Sequence, residues 1–371
     1  MVNSMKLSLP SSLKTTPCRL RLCGIASAAL VLGFSPLQAG EPPADGAHVE
    51  KVKSYLLTTE VGIEAASKDF VKKSAEYQKI IEAHKGDYAA ALKADRAKIL
   101  SLVEDMRKDY MKADSFGYER IEGIIAGVDS LADFDVYLDS GVPKAKATKD
   151  LAPAPTTFTT KSGKVIKGEG CIFTFLIEPT LWGKNKDHIV AVEVGGDGSQ
   201  AAKDSLPEAE FIAAAGVDMD KKIEEMIAAS KAWKPTEADC FGAVIKMTPT
   251  LSGYFDDWKD SRYEKESSGL FSAVSRVSDM QGIMESVAIT YDAVDPAVAK
   301  KDPALSKTIK GGFTDIDSFV KHVGEREKKE KGNLTVAEIE ELHNQAQAKA
   351  DKLVPQVEQA AAVVGVKVSA N

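Results

Sequence analysis

Long segments in which apolar residues recur every three or four positions constrain this chain most strongly, because that spacing is helical. The clearest apolar stripe consists of Leu92, Ile99, Leu102, Val103, Met106, Tyr110, Ile121, Ile124 and Ile125. Such a stripe is typical of an amphipathic helix with one face in a core. A looser stripe covers residues 49–84. The sequence therefore predicts helices over 49–84 and 87–128, with an interruption of the second at 114–117.

Helical periodicity returns after residue 206 and continues nearly to the end of the chain. It predicts helices over 207–233, 238–261, 269–294, 303–330 and 335–364. Capping boxes are predicted at Thr236 with Asp239 and at Thr335 with Glu338. Long helices with short connections favour antiparallel bundles. We therefore predict an all-α fold of two antiparallel four-helix bundles side by side, the first over 50–232 and the second over 233–371.

The segment between the predicted helices of the first half has a different composition. Residues 140–170 contain three prolines and five threonines, which favour a long surface connection. A short hairpin is predicted around Lys161, Ser162 and Gly163. An apolar run at 171–181 follows, and then a turn region rich in Gly and Asp at 195–199.

The first 39 residues have the features of a secretory signal. They lack Asp and Glu, carry four basic residues before an apolar stretch at 24–34, and end on the small residue Ala39. An uncleaved anchor and an organellar transit peptide are the alternatives. Residues 40–49 are predicted to be a flexible lead. We expect a signal peptide over 1–39, export to the periplasm and no lipid anchor. No membrane insertion is expected either, because no later stretch is long and apolar enough to cross a bilayer.

The charge and the cysteines narrow the class of protein further. The net charge of −7 becomes about −11 once the four positive charges of residues 1–39 are removed. An acidic protein repels nucleic acid, so no nucleic-acid partner is expected. Cys171 and Cys240 remain after the signal. In an oxidising compartment they could pair, and two separately buried thiols are the alternative.

Two glutamates in the second helical stripe could form a cation site. Glu119 and Glu122 lie three residues apart and project from nearly the same helix face, beside Ile121, Ile124 and Ile125. Two carboxylates held together repel each other unless a cation or a shared proton relieves them. A hard metal ion suits carboxylate oxygens. The alternative is that both side chains face solvent or pair with a lysine or arginine.

Glu178 is a second candidate, because it is the only charged residue between Cys171 and Gly183. Its apolar neighbours are Phe173, Phe175, Leu176, Ile177, Leu181 and Trp182. A carboxylate buried among them should be protonated, paired or bound to a metal. Alternatively, it caps a helix that begins at Pro179.

The segment from Tyr118 to Asp139 resembles a family signature. Tyr118-Glu119-Arg120-Ile121-Glu122, followed by Asp133-Phe134-Asp135 and Leu138-Asp139, is similar to the motifs of EfeO/EfeM-type iron-uptake proteins in the imelysin-like family. Supporting likenesses are Ile177-Glu178-Pro179-Thr180-Leu181-Trp182, Ser261-Arg262-Tyr263 and Asp302-Pro303-Ala304-Leu305. The resemblance covers about residues 49–364 at low identity.

This resemblance implies a site, a location and partners. The fold would be two four-helix bundles with a metal site between them, in a periplasmic protein that works with an iron permease and a peroxidase-like partner. The metal ligands carried over by matching positions would be Glu119, Glu122, Asp139 and Glu178. The histidine of the family's His-x-x-Glu motif is replaced by Phe175, and the second histidine is absent near residues 264–266. An all-oxygen site favours ferric iron, calcium or magnesium, or holds no metal.

Three functions are compatible with this sequence. The leading one is a non-enzymatic periplasmic protein that holds ferrous or ferric iron, or another divalent cation, for delivery to the permease. The alternative is a metal-free helical protein that binds a partner or a polysaccharide. A metal-dependent peptidase is less favoured, because no His-Glu-x-x-His segment occurs. The five histidines have no ligand spacing, and they are expected to lie in the lead (His48) or at surface and cap positions (His84, His188, His322 and His343).

Overall fold

Helices make up most of the residues that the computed structural model describes, which are 48–149, 151–194, 204–263, 276–330 and 334–368. The α-helices are α1 (Glu50–Ala83), α2 (Tyr88–Ala113), α3 (Glu119–Ile125), α4 (Ala132–Leu138), α5 (Glu178–Leu181), α6 (Ala209–Ala232), α7 (Glu237–Met247), α8 (Thr250–Tyr263), α9 (Arg276–Lys301), α10 (Pro303–Lys329) and α11 (Val336–Val364). The predicted all-α helical-bundle class is confirmed. In the described parts of the chain, every helix is too short or too polar to span a lipid bilayer.

Both predicted capping boxes are present. At the start of α7, Asp239 N–H donates to Thr236 Oγ1 at 3.0 Å, and Thr236 N–H donates to Asp239 Oδ2 at 3.1 Å. Thr335 and Glu338 make the same reciprocal pair at the start of α11. These bonds satisfy N–H groups that have no partner within the helix. The sequence therefore sets where these helices begin.

The helices pack in two groups joined by α3. In the first group, α1 lies against both α2 and α6. In the second, α9 packs on α10 and α7, and α11 packs on α8 and α10. Helix α3 lies against α9 and α7, so the short helix that follows α2 contacts the second group. The division of the chain into domains at 232/233 stays a prediction.

Two π-helical segments interrupt the α-helical geometry. The first, Asp114–Tyr118, joins α2 to α3, where the sequence predicted an interruption. The second, Ile172–Ile177, leads into α5. A Cβ at Gly117 would lie 2.4 Å from the carbonyl oxygen of Lys112, so the first segment requires glycine there. Single π turns inside helices are frequent at functional sites.

The second half differs from prediction at two prolines. The single helix predicted over 238–261 is wrong, because the chain divides into α7 and α8 beside Pro249. Proline has no N–H to donate to the carbonyl four residues earlier, that of Ile245, so the ladder is interrupted there. Helix α9, in contrast, runs through Pro296 to Lys301, beyond the predicted end at 294.

Short strands occur only in the connections, among the described residues. The predicted hairpin is present as β1 (Thr157–Thr159) and β2 (Val165–Lys167), which pair antiparallel with Phe158 opposite Ile166. A second antiparallel pair, β3 (Ile189–Ala191) and β4 (Ser205–Pro207), was not predicted. Pro207 therefore ends a strand, and α6 begins two residues after the predicted start.

The structure shows the state of the two cysteines and of the last two residues of the predicted lead. Cys171 and Cys240 are buried and not paired with each other, which is the separate-thiol alternative. Of the expected flexible lead, Val49 is buried and His48 Nε2 lies 3.0 Å from Glu237 Oε1, so both residues are held. Other predictions lie outside the described residues: the signal at 1–39, the lead at 40–47, the turn at 195–199, the helix start at 269–275 and the place of the second family histidine at 264–266.

Candidate metal centre

Seven carboxyl groups from both helical groups are brought into one electrostatic cluster. They lie in the first π segment, in α3, in α4 and its C-cap, in α5 and in α9. The seven residues are Asp114, Glu119, Glu122, Asp135, Asp139, Glu178 and Asp279. Six of them are buried, and Asp139 is half-buried. Ligand atoms of Asp114, Glu119 and Asp139 all lie within 4.8 Å of one another. We call these three residues the acid triad.

The first π segment explains how two members of the triad meet. In an α-helix, residues five apart point about 140° away from each other. Here the Glu119 N–H donates to the carbonyl of Asp114, which is the i→i+5 bond of a π turn. This wider turn brings both side chains toward one side. Close packing of α9 is permitted by Gly282, where a Cβ would lie 3.1 Å from the backbone of Glu119.

Two oxygens of the acid triad are buried without a hydrogen-bond partner among the described residues. They are Asp114 Oδ1 and Glu119 Oε2. Burial first, and then the nearby carboxylates, raise the pKa of Asp114 well above its usual range. Burial and then Glu122 raise the pKa of Glu119 in the same way. An unsatisfied buried polar atom costs about 1–3 kcal/mol. The carboxyl groups of Asp114 and Glu119 therefore need a proton or a cation.

Tyrosine hydroxyls face three of the remaining acids. Tyr254 donates to both oxygens of Glu122, at 2.8 Å and 3.0 Å. Tyr118 donates to Asp135 Oδ1 at 2.8 Å, and Tyr110 donates more weakly to Glu178 Oε2 at 3.5 Å. Burial raises the pKa of Asp135 to about 6 and that of Glu122 well above its usual range. At least one oxygen of each of these three acids thus has a hydroxyl donor, unlike Asp114 Oδ1 and Glu119 Oε2.

The four predicted ligands separate into two pairs. Glu119 and Asp139 are in the acid triad, whereas Glu122 and Glu178 lie in the same cluster opposite tyrosines. The alternative that Glu119 and Glu122 face solvent is wrong, because both are buried. Among the described residues no lysine or arginine pairs with either, and the intervening Arg120 pairs with Glu285 at 3.3 Å. Their role as metal ligands stays a prediction.

Sequence reasoning missed Asp114 and Asp279. Asp114 was assigned only to the helix interruption, and Asp279 lies on α9 with no motif around it. The electrostatic influence of Asp279 reaches both Asp114 and Glu119. The interruption itself was the usable signal for Asp114, since a π turn changes which residues share a face.

Asp139 is the member of the cluster nearest to solvent. It caps the C-terminal end of α4, where its N–H donates to the carbonyl of Asp135. Phe175, which stands where the resemblance places a histidine, is also half-buried, and Lys146 Nζ lies 5.9 Å from the centre of its ring. Asp139 is therefore the most solvent-accessible member of the acid triad.

His188 and His84 have partners outside the acid triad. His188 is buried, stacks on Phe211 with ring centres 3.6 Å apart, and lies 2.8 Å from Glu169 and 3.5 Å from Glu208. The expectation of a surface or cap position is therefore wrong for His188. His84 pairs with Asp95 at 2.9 Å near the end of α1. The acid triad is an all-oxygen donor set.

Comparison with known proteins gives one family. Residues 176–363, about half of the chain, match the family model described as imelysin, Peptidase M75. The match runs from the second π segment into the last turn of α11, and includes Glu178 and Asp279. The acid triad precedes it in the chain. No curated protein matches this chain.

Proposed function

Because the chain belongs to the imelysin family, we propose that it is a non-enzymatic protein of the periplasm that binds a metal ion through carboxylates. The proposed ligands are the acid triad, with Glu122 and Glu178 close by. The ion is cargo that the protein takes up and passes on. Iron is the proposed cargo, and another hard divalent cation is the alternative.

The unpartnered oxygens of Asp114 and Glu119 are the observation that carries this proposal. A buried oxygen without a donor is a poor arrangement for stability alone, and a cation placed among the three carboxylates would satisfy both atoms. Carboxylate oxygens are hard ligands that favour ferric iron, calcium or magnesium over soft metals. The donor chemistry therefore fits a hard cation.

The finer assignment to an EfeO/EfeM-type iron-uptake component rests on the motif at 118–139. Its Glu119 and Asp139 are members of the acid triad, which supports that assignment. Delivery to a permease, with a peroxidase-like partner, is part of the same proposal. The periplasmic location rests on the composition of residues 1–39.

Peptidase activity, which the family name implies, is not part of our proposal. Zinc peptidases use ligands that include histidine and leave an open position beside a general base. The acid triad offers oxygens alone, and His188 is engaged by two glutamates. A casein assay with and without chelator tests this point, and chelator-sensitive proteolysis would contradict it.

Calorimetric titration tests the metal site directly. The purified protein is titrated with ferrous ion under anaerobic conditions, and separately with ferric citrate, calcium and zinc ions. Binding should be tightest for iron. The affinity for iron should fall in the Asp114→Asn and Glu119→Gln variants. Losing a residue that only orients a ligand typically costs about 10–100-fold in affinity, and losing a ligand should cost more.

A matched control uses an acid outside the cluster. Glu64 lies on α1, is partly exposed and pairs with Lys68, so Glu64→Gln should bind as the wild type does. Equal affinity in all the variants would remove the acid triad from the proposal. Absence of heat with every ion would favour the metal-free function, binding of a protein partner or a polysaccharide.

A further inference from the structure

The second π segment and its N-cap residue, Cys171, hold Asp139 at two atoms. Thr174 Oγ1 donates to Asp139 Oδ1 at 2.7 Å, and Cys171 Sγ donates to the backbone oxygen of Asp139 at 2.6 Å. The chain reaches this position through Gly170, which has φ +116 and where a Cβ would lie 2.4 Å from Phe175 Cβ. Backbone and side-chain geometry thus bring the segment against the end of α4.

Asp139 needs such support more than the other two members of the triad. Asp114 and Glu119 belong to a continuous helical stretch and are enclosed by packing. Asp139 follows the last residue of α4 and is half-buried, so its carboxylate has more room to rotate. A hydrogen bond to Oδ1 restricts that rotation. Partners of this kind orient metal ligands and tune their affinity.

We propose that Thr174 is a positioning residue for cation binding, which acts through Asp139 by fixing the orientation of its carboxylate. This inference rests on the proposed function. With Oδ1 engaged by the hydroxyl, Asp139 presents a defined geometry to the ion. Losing the hydroxyl removes this restraint on Oδ1 and weakens binding of the ion.

The direction of the hydroxyl separates this role from ordinary helix packing. Thr180, six residues later, donates to the carbonyl of Leu176 at 2.7 Å, which is the usual bond of a threonine to the preceding turn. Thr174 donates instead to a carboxylate that precedes it by 35 residues. Thr180 is therefore a matched control, because it is a nearby threonine that has no acidic partner within the part of the chain that the structure describes.

The experiment compares iron affinity by calorimetry in four proteins: wild type, Thr174→Val, Thr174→Ser and Thr180→Val. Valine keeps the shape of threonine and removes the hydroxyl, and serine restores it. We expect Thr174→Val to bind about 10-fold or more weakly. Thr174→Ser and Thr180→Val should stay close to wild type. Thermal unfolding without metal checks that each variant is folded, and Thr174→Ala replaces the valine variant if that one does not fold.

The outcomes distinguish the two proposals. If the wild type binds iron and Thr174→Val binds it equally tightly, the positioning role is overturned and the proposed function stands. If Thr174→Val and Thr180→Val lose iron affinity equally, or if Thr174→Ser also loses it, Thr174 contributes only to packing. Either result also overturns the positioning role. No binding of iron by the wild type overturns the proposed function and this inference with it.

Discussion

Replacing Glu60 by glutamine should change how the stability of the protein depends on pH. Glu60 lies on α1, is 1% exposed, and has both carboxylate oxygens without a well-formed hydrogen bond among the described residues. Burial raises its pKa to about 7 from an ordinary value of 4.5. The nearby hydroxyl of Ser230 and the charge of Lys231 oppose this shift only in part.

The size of the effect follows from the two pKa values. Below about pH 4.5 the carboxyl group is protonated in both folded and unfolded chains, so it adds no pH dependence. As the pH rises from about 4.5 to about 7, the unfolded chain releases the proton more readily than the folded one, and the free energy of unfolding falls. At about 1.4 kcal/mol per pKa unit, the loss is about 3 kcal/mol above pH 7.

Urea unfolding followed by circular dichroism measures this at several pH values, in the presence of chelator. The free energy of the Glu60→Gln variant minus that of the wild type should rise by about 3 kcal/mol from about pH 4.5 to about pH 8. Any fixed cost of the amide cancels in this comparison. Glu338→Gln is the control, because the hydrogen bond from the backbone N–H of Thr335 lowers the pKa of Glu338, and its profile should slope the opposite way. A flat difference for Glu60→Gln would refute the reasoning.

Replacing both Asp114 and Glu119 by their amides should raise the unfolding temperature in chelator at about pH 8 by several degrees. Burial raises both pKa values, so the folded chain must hold protons that the unfolded chain releases, and the amides remove this cost; a lower midpoint would contradict this. Cation binding should release protons and strengthen from about pH 6 to about pH 8, since the raised pKa values of both acids keep protons that the ion displaces. Calorimetry in two buffers of different ionisation enthalpy checks this, and equal heats would count against it. Gly123→Ala should cost about 1–3 kcal/mol in urea unfolding, because its Cβ would lie 2.4 Å from Ser286 Oγ. Gly62→Ala, with nothing within 4 Å, should instead gain about 0.5–1 kcal/mol.

Much of the helical architecture could be predicted, because its signals are local. The starts of α7 and α11 follow from Thr236 and Thr335, whose capping bonds lie within one turn. The two prolines show the limit of such signals. The helix ends beside Pro249 but continues through Pro296, and the difference depends on how the surrounding helices pack. Strands of three residues, such as β3, are too short to show a period.

The candidate site could be predicted only in part, for a geometric reason. Glu119 was identified through its α-helical spacing from Glu122, but the spacing from Asp114 belongs to a π turn, which the sequence pattern does not show. Asp139 came from the family resemblance, because acids at helix ends are usually caps. Asp279 reaches the cluster through the packing of α9 on α3, which no local pattern encodes.

The extra residue that a π turn accommodates has a consequence for how such a site can be gained or lost. Removing one residue between Asp114 and Tyr118 would let α2 and α3 join as a continuous α-helix, in which Glu119 would follow Asp114 by four positions. Residues four apart in an α-helix differ by about 40° and share a face, so the two acids would still meet. An α-helix that kept all the residues of this segment would instead point the two carboxylates about 140° apart, although neither acid had been replaced. The match between chain length and helix type at this junction, and not only the chemistry of its side chains, therefore decides whether the acids can meet.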